Sequence, residues 1–335
     1  FIRLLGKKNR INIYFFNNYT FKKYISLYIM KKFTIEGFCP IGPGSFHMKF
    51  VKNFYEDEKY YYIEGKGGSF SNTVLEGRIN KKNMINFRNN MNDKLGGCFI
   101  EYTSVKNFKM TEKLQEDYPL LEFDFCIVDP NLFDNNSKIY FLVDGMKNFF
   151  KICKEEKKNL VELANIDLNK LLPKHNFRNH FEIPMNIISF NNKKFIYTRF
   201  NEQRGVRKQL IFISDDNSWN FNSNDTIKIH GNSGVTENTI YCSKIINYKN
   251  KLIGVFYCYV GEHNTKELWK VRDKELILLC ESNDGINFNE IQVLQELKNA
   301  SYKMWLMGGS LDKILYTKLT GNDCLYDVEV LDFKN

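Results

Sequence analysis

Two short acidic, proline-bearing motifs carry the clearest chemical suggestion in this chain. Asp129-Pro130 precedes Asn131-Leu-Phe-Asp-Asn-Asn-Ser-Lys-Ile-Tyr140. Glu182-Ile-Pro184, 53 positions later, precedes Met185-Asn-Ile-Ile-Ser-Phe-Asn-Asn-Lys-Lys-Phe-Ile-Tyr197. Each acid stands ahead of a polar turn and a Tyr-bearing apolar run. If these runs are the first strands of successive units around a channel, the two carboxylates converge. Paired carboxylates suit glycosidic cleavage: one protonates the leaving oxygen, the other activates water or steadies the cation-like transition state.

A second group is basic. Arg199, Arg204 and Arg207 fall within Tyr197-Thr-Arg-Phe-Asn-Glu-Gln-Arg-Gly-Val-Arg207. Guanidinium forks take carboxylate or phosphate in two-point contact, so the segment reads as an anion site for an acidic sugar or a sugar phosphate. The plainer alternative is a hairpin whose arginines pair with Asp215 and Asp216. His180 lies two positions from Glu182 and His47 lies on an early apolar run, so both are expected to line the same cavity. No His or Cys stands at metal-ligand spacing, so no metal site is expected, and no cofactor motif is present. Trp305 is either a sugar platform or a plug under a turn; Trp219 and Phe288 read as plugs under turns.

The elements that must hold these residues repeat. Five times an apolar run, a short polar turn containing Lys and a second apolar run follow one another. The lysines are Lys59, Lys138, Lys194, Lys251 and Lys313, spaced 79, 56, 57 and 62 positions apart. A short polar turn between apolar runs marks a hairpin, and about 57 residues hold four short strands with their loops. The sequence therefore predicts an all-β chain, a five-bladed β-propeller, with Phe33-Thr-Ile-Glu36 pairing into the last blade to close the ring. A two-sheet sandwich is the alternative. Residues 154–172 fit either a helix or outer strands. Ser282-Asn-Asp-Gly-Ile-Asn-Phe288 and Leu210-Ile-Phe-Ile-Ser-Asp-Asp-Asn-Ser-Trp219 share a further shape: strand, Ser, polar turn, then an aromatic that plugs back.

Composition agrees. The chain has 335 residues and is 43% hydrophobic, with 29 Phe and 19 Tyr, which favours pleated, β-rich packing. No apolar run reaches 18 residues, so no spanning helix is expected. The net charge is +9, but Lys is scattered among acids rather than gathered in one stripe, which argues against nucleic acid as a partner. The eight Cys lack C-x-x-C pairs and sit mostly in apolar runs, as buried free thiols do. A reducing, cytoplasmic setting is expected from this. Residues 1–29 are basic and aromatic without a signal-peptide pattern. They read as a leader or extension, with residues 30–335 as one domain.

Asp-Pro-x-x-Phe before a Tyr-bearing strand, Glu-x-Pro some fifty residues on and the Ser-x-Asp-Gly-x-x-Phe turn together resemble glycoside hydrolase family 43 and the related family 32 fructosidases. The resemblance covers roughly residues 40–334. It implies a glycan partner, Glu182 as general acid and Asp129 as the carboxylate that tunes it. It also implies a general-base Asp on the first strand of the first blade. The matching stretch, Ile41-Gly-Pro-Gly-Ser-Phe-His-Met-Lys-Phe50, has no acid, and Asp57 and Glu58 fall in the following turn. The chain then either binds a glycan without cutting it, uses another acid such as Glu36 or Asp124, or runs different chemistry in that channel.

Overall fold

Two short turns show how the sequence sets its hairpins. Asn191 and Asn192 both have positive φ, 51° and 58°, and so do Lys249 and Asn250, at 50° and 60°. Two consecutive left-handed residues make the turn whose twist matches antiparallel strands, and Asn tolerates that conformation at little cost. These turns join β11 (Asn186–Phe190) to β12 (Lys193–Asn201), and β16 (Ile240–Tyr248) to β17 (Lys251–Val260). Both are copies of the expected Lys-bearing turn.

The computed structural model describes residues 29–36, 48–67, 73–80, 101–107, 122–125, 127–128, 139–144, 149–156, 159–171, 186–201, 206–215, 218–261, 274–298, 304–310, 312–319 and 325–333. These form an all-β molecule with one short helical turn, Leu168–Leu171. One sheet of eight strands runs β1 (Ile29–Glu36), β22 (Leu325–Asp332), β21 (Lys313–Leu319), β20 (Met304–Gly308), β2 (Met48–Glu56), β3 (Tyr60–Gly67), β4 (Thr73–Asn80) and β5 (Glu101–Asn107). A second runs β10 (Asn159–Asp167), β9 (Phe149–Glu156), β8 (Ile139–Asp144) and β6 (Glu122–Phe125). The third is β14 (Ser223–Thr226), β13 (Arg207–Asp215), β12, β11 and β7 (Ile127–Val128). The fourth is β15 (Lys228–His230), β19 (Asn287–Lys298), β18 (Lys274–Ser282), β17 and β16. Residues 154–156 and 159–167 are thus strand, not helix, up to that single turn.

Two parallel contacts join the edges of successive meanders. β7 pairs in parallel with β11 (Ile127↔Asn186, Val128↔Ile187), and β2 meets β20 in parallel at the one pair Val51↔Gly308. β1 pairs with β22 over its whole length, Phe33 opposite Val328 and Glu36 opposite Leu325, as the closing strand was expected to do. Removing residues 1–36 would bare the β22 edge and leave its backbone groups unpaired. Such a chain is expected to aggregate or unfold at a markedly lower denaturant concentration than one beginning at residue 29. Size-exclusion chromatography and urea unfolding of the two chains check this; equal stability would contradict it.

The core is built of aromatic and branched side chains. Tyr257, Leu279, Leu306, Tyr316 and Val330 fill the space between the first and fourth sheets; Phe195, Tyr197, Ile211, Phe256 and Phe288 fill that between the third and fourth. The described free cysteines, Cys153, Cys242, Cys258 and Cys280, are all buried. Burial, with a smaller push from the Glu162 charge, raises the Cys153 thiol to about 11.

The Ser282–Phe288 turn locks the third and fourth sheets. Asp284 Oδ1 accepts from the backbone N–H of Ile286 at 2.8 Å and of Asn287 at 2.7 Å; Oδ2 accepts from Asn287 Nδ2 at 2.7 Å. Asn191 Nδ2 donates to the Asn283 carbonyl at 3.0 Å, and the Tyr197 hydroxyl donates to the Gly285 carbonyl at 3.0 Å. Phe288 is fully buried edge-on to Phe256, at a centroid distance of 5.0 Å, which makes it a plug as expected. Partial burial pushes the Asp284 carboxyl up, but its hydrogen bonds outweigh that and hold it below its ordinary value. A depressed folded value means the contribution is present above the unfolded value near 4 and is lost as pH falls through the folded one. Asp284→Ala is expected to cost roughly 1 kcal/mol at neutral pH. Urea unfolding at pH 7 and pH 3 should show the gap to the parent narrowing at the lower pH.

Candidate functional site

The described part of the site grows out of the β12–β13 hairpin. Side chains alternate along a strand, so Phe195, Tyr197 and Arg199 point the same way. Phe195 and Tyr197 belong to the core shared with the fourth sheet, and Tyr197 bonds the Gly285 carbonyl of that sheet. Arg199 is therefore carried toward the same neighbour. Its guanidinium carbon lies 4.2 Å from the centre of the Tyr241 ring on β16, within cation–π range. Arg207, at the head of β13, reaches the same ring at 6.0 Å.

Two anchors fix this arrangement. The Arg207 backbone N–H donates to the Asn238 carbonyl at 3.0 Å, and Arg207 bridges in parallel to Thr239, tying the head of β13 to the head of β16. Gln209, opposite Arg199 in the ladder, accepts from the Ser243 hydroxyl at 2.9 Å and donates to the Tyr241 carbonyl at 3.3 Å. Arg199 is buried, at 6% exposure, whereas Arg207 is half-buried. Burial pushes the Arg199 guanidinium below its ordinary value. Tyr241 and Cys242 oppose that, and the nearby Arg207 charge adds to it. The result is a cationic, aromatic-backed cluster at the leading ends of β13 and β16.

Asp215 does not neutralise it. Asp215 pairs with Lys193 at the far end of the β12–β13 ladder, eight positions from Arg207 along an extended strand, or about 26 Å away. The alternative in which Asp215 answers these arginines is thereby corrected; Asp216 lies outside the described residues. So do Asp129, Glu182, His180, His47 and Arg204. Trp305 is the second residue of β20, opposite Thr317.

Of the substitute bases, Glu36 ends β1, three strands out from β20, or about 14 Å. Asp124 sits on β6, opposite Phe141. Asp57 is spent on its turn: it accepts from the N–H of Lys59 and of Tyr60 and from the Tyr62 hydroxyl, each at 2.7 Å. Whether Asp129 and Glu182 stand at matched strand starts falls on residues outside those described. Asp129 directly follows β7, while Glu182 precedes β11 by four positions. The second meander begins earlier than the spacing implies, because Phe123 and Phe125 enter the ladder with β8.

Sequence reasoning missed Tyr241, Gln209 and Ser243. One signal for Tyr241 was available. It is the second residue of its strand after an apolar first one (Ile240-Tyr241), as Trp305 is in Met304-Trp305.

No protein-family model matches the chain, and no curated protein matches it. Solved structures that resemble it include family 32 and family 43 glycoside hydrolases. The β-xylosidase RS223 shares 11% identity over 85% of this chain and 92% of its own, with a TM-score of 0.42. An exo-β-1,3-galactanase from Phanerochaete chrysosporium, solved with β-1,3-galactotriose, shares 8% over 88% and 64%, with a TM-score of 0.40. A family 32 β-fructofuranosidase from Bombyx mori shares 12% over 59% and 41%, with a TM-score of 0.33. The chain thus spans 41% of that fructofuranosidase, and 27% of a bifunctional family 43 enzyme from Bacteroides eggerthii. At these scores the superpositions are loose.

Proposed function

We propose that the chain is a five-bladed β-propeller that takes a glycan in its central channel, with Glu182 as general acid and Asp129 as its modulator. Splitting the eight-stranded sheet at its single parallel pair, Val51↔Gly308, would leave five units: β2–β5; β6 with β8–β10; β11–β14 with β7 added at the β11 edge; β16–β19 with β15 added at the β19 edge; and β20–β22 with β1. The observation that carries the catalytic reading is the parallel pairing of β7 with β11. Asp129 is bonded to Val128, so their Cα atoms are about 3.8 Å apart. Glu182 is four residues from Asn186, a reach of at most about 14 Å. Both acids are therefore tethered to one pair of strands. His180, His47, Arg204 and Trp305 complete the proposed lining.

A non-catalytic, glycan-binding reading is favoured by one feature. The described part of β2 has no acid before Glu56, at its end, so the first blade offers no general base there. A screen of oligosaccharides for saturable binding and for released reducing ends tests both readings. Binding with cleavage supports the enzyme, and binding without cleavage supports the lectin-like alternative. Neither binding nor cleavage across neutral, acidic and phosphorylated glycans would overturn the proposal.

A further inference from the structure

We draw no further inference here: the strongest candidate, the exposed Tyr55 ring stacked on Tyr62 beside the turn between β2 and β3, is an aromatic surface patch, and nothing in the structure shows what covers it.

Discussion

Glu182→Gln is expected to lower glycoside hydrolysis by about 10²–10⁴-fold while glycan binding persists. The amide matches the carboxyl in shape and still hydrogen-bonds a sugar, but it has no proton to give to the leaving oxygen. The loss should therefore depend on the leaving group. An aryl glycoside whose phenol departs without protonation should lose far less than an alkyl glycoside or an oligosaccharide. Steady-state rates on both substrate types check this. Equal losses on both would mean that Glu182 acts on binding or folding, and a fully active variant would remove it from the reaction. Asp129→Asn is a separate case, since a tuning carboxylate shifts the pH profile of the acid rather than supplying the proton.

Gly285→Ala is expected to cost roughly 2–4 kcal/mol of folding stability. Two independent penalties add. The residue has φ of +82°, where a side chain collides with its own backbone. An added Cβ would also stand 2.8 Å from Phe195 Cε1 and 3.0 Å from the Tyr197 hydroxyl, both in the packed seam between the third and fourth sheets. Gly234 separates the two effects. Its φ is +78°, but an added Cβ would meet only Val260 Cγ1, at 3.7 Å. Gly234→Ala should therefore cost only the backbone share, about 1–2 kcal/mol. Urea unfolding of the two variants against the parent measures the difference. Similar losses at both positions would show that the turn is not wedged against β12.

The parts of the molecule legible in the sequence are those fixed by local chemistry. Asn191-Asn192 and Lys249-Asn250 announce their hairpins because few residues accept two left-handed positions in a row. Phe288 announces its burial because the Ser-x-Asp-Gly turn bends the chain back on itself. The β1–β22 closure was legible from the apolar run Phe33–Glu36 at the start of a repeating chain. What could not be read depends on which strand faces which. The ladder direction sends Asp215 to Lys193 and Arg199 to Gln209, and only the packing of the third sheet on the fourth brings Tyr241 under both arginines. Likewise, the sequence spacing matched Asp129 with Glu182 as strand starts. Both acids lie outside the described residues, Asp129 one position after β7 and Glu182 four ahead of β11 in the chain.

A crystal structure of the full chain, solved with an acidic oligosaccharide, offers the most direct test, read for the separation of the Asp129 and Glu182 carboxyl groups. The expected result is five sheets ringing one cavity, with the two carboxyls within about 10 Å of each other across it. Carboxyls at opposite ends of the β7–β11 pair, or sheets arranged other than as a ring of five, would contradict it.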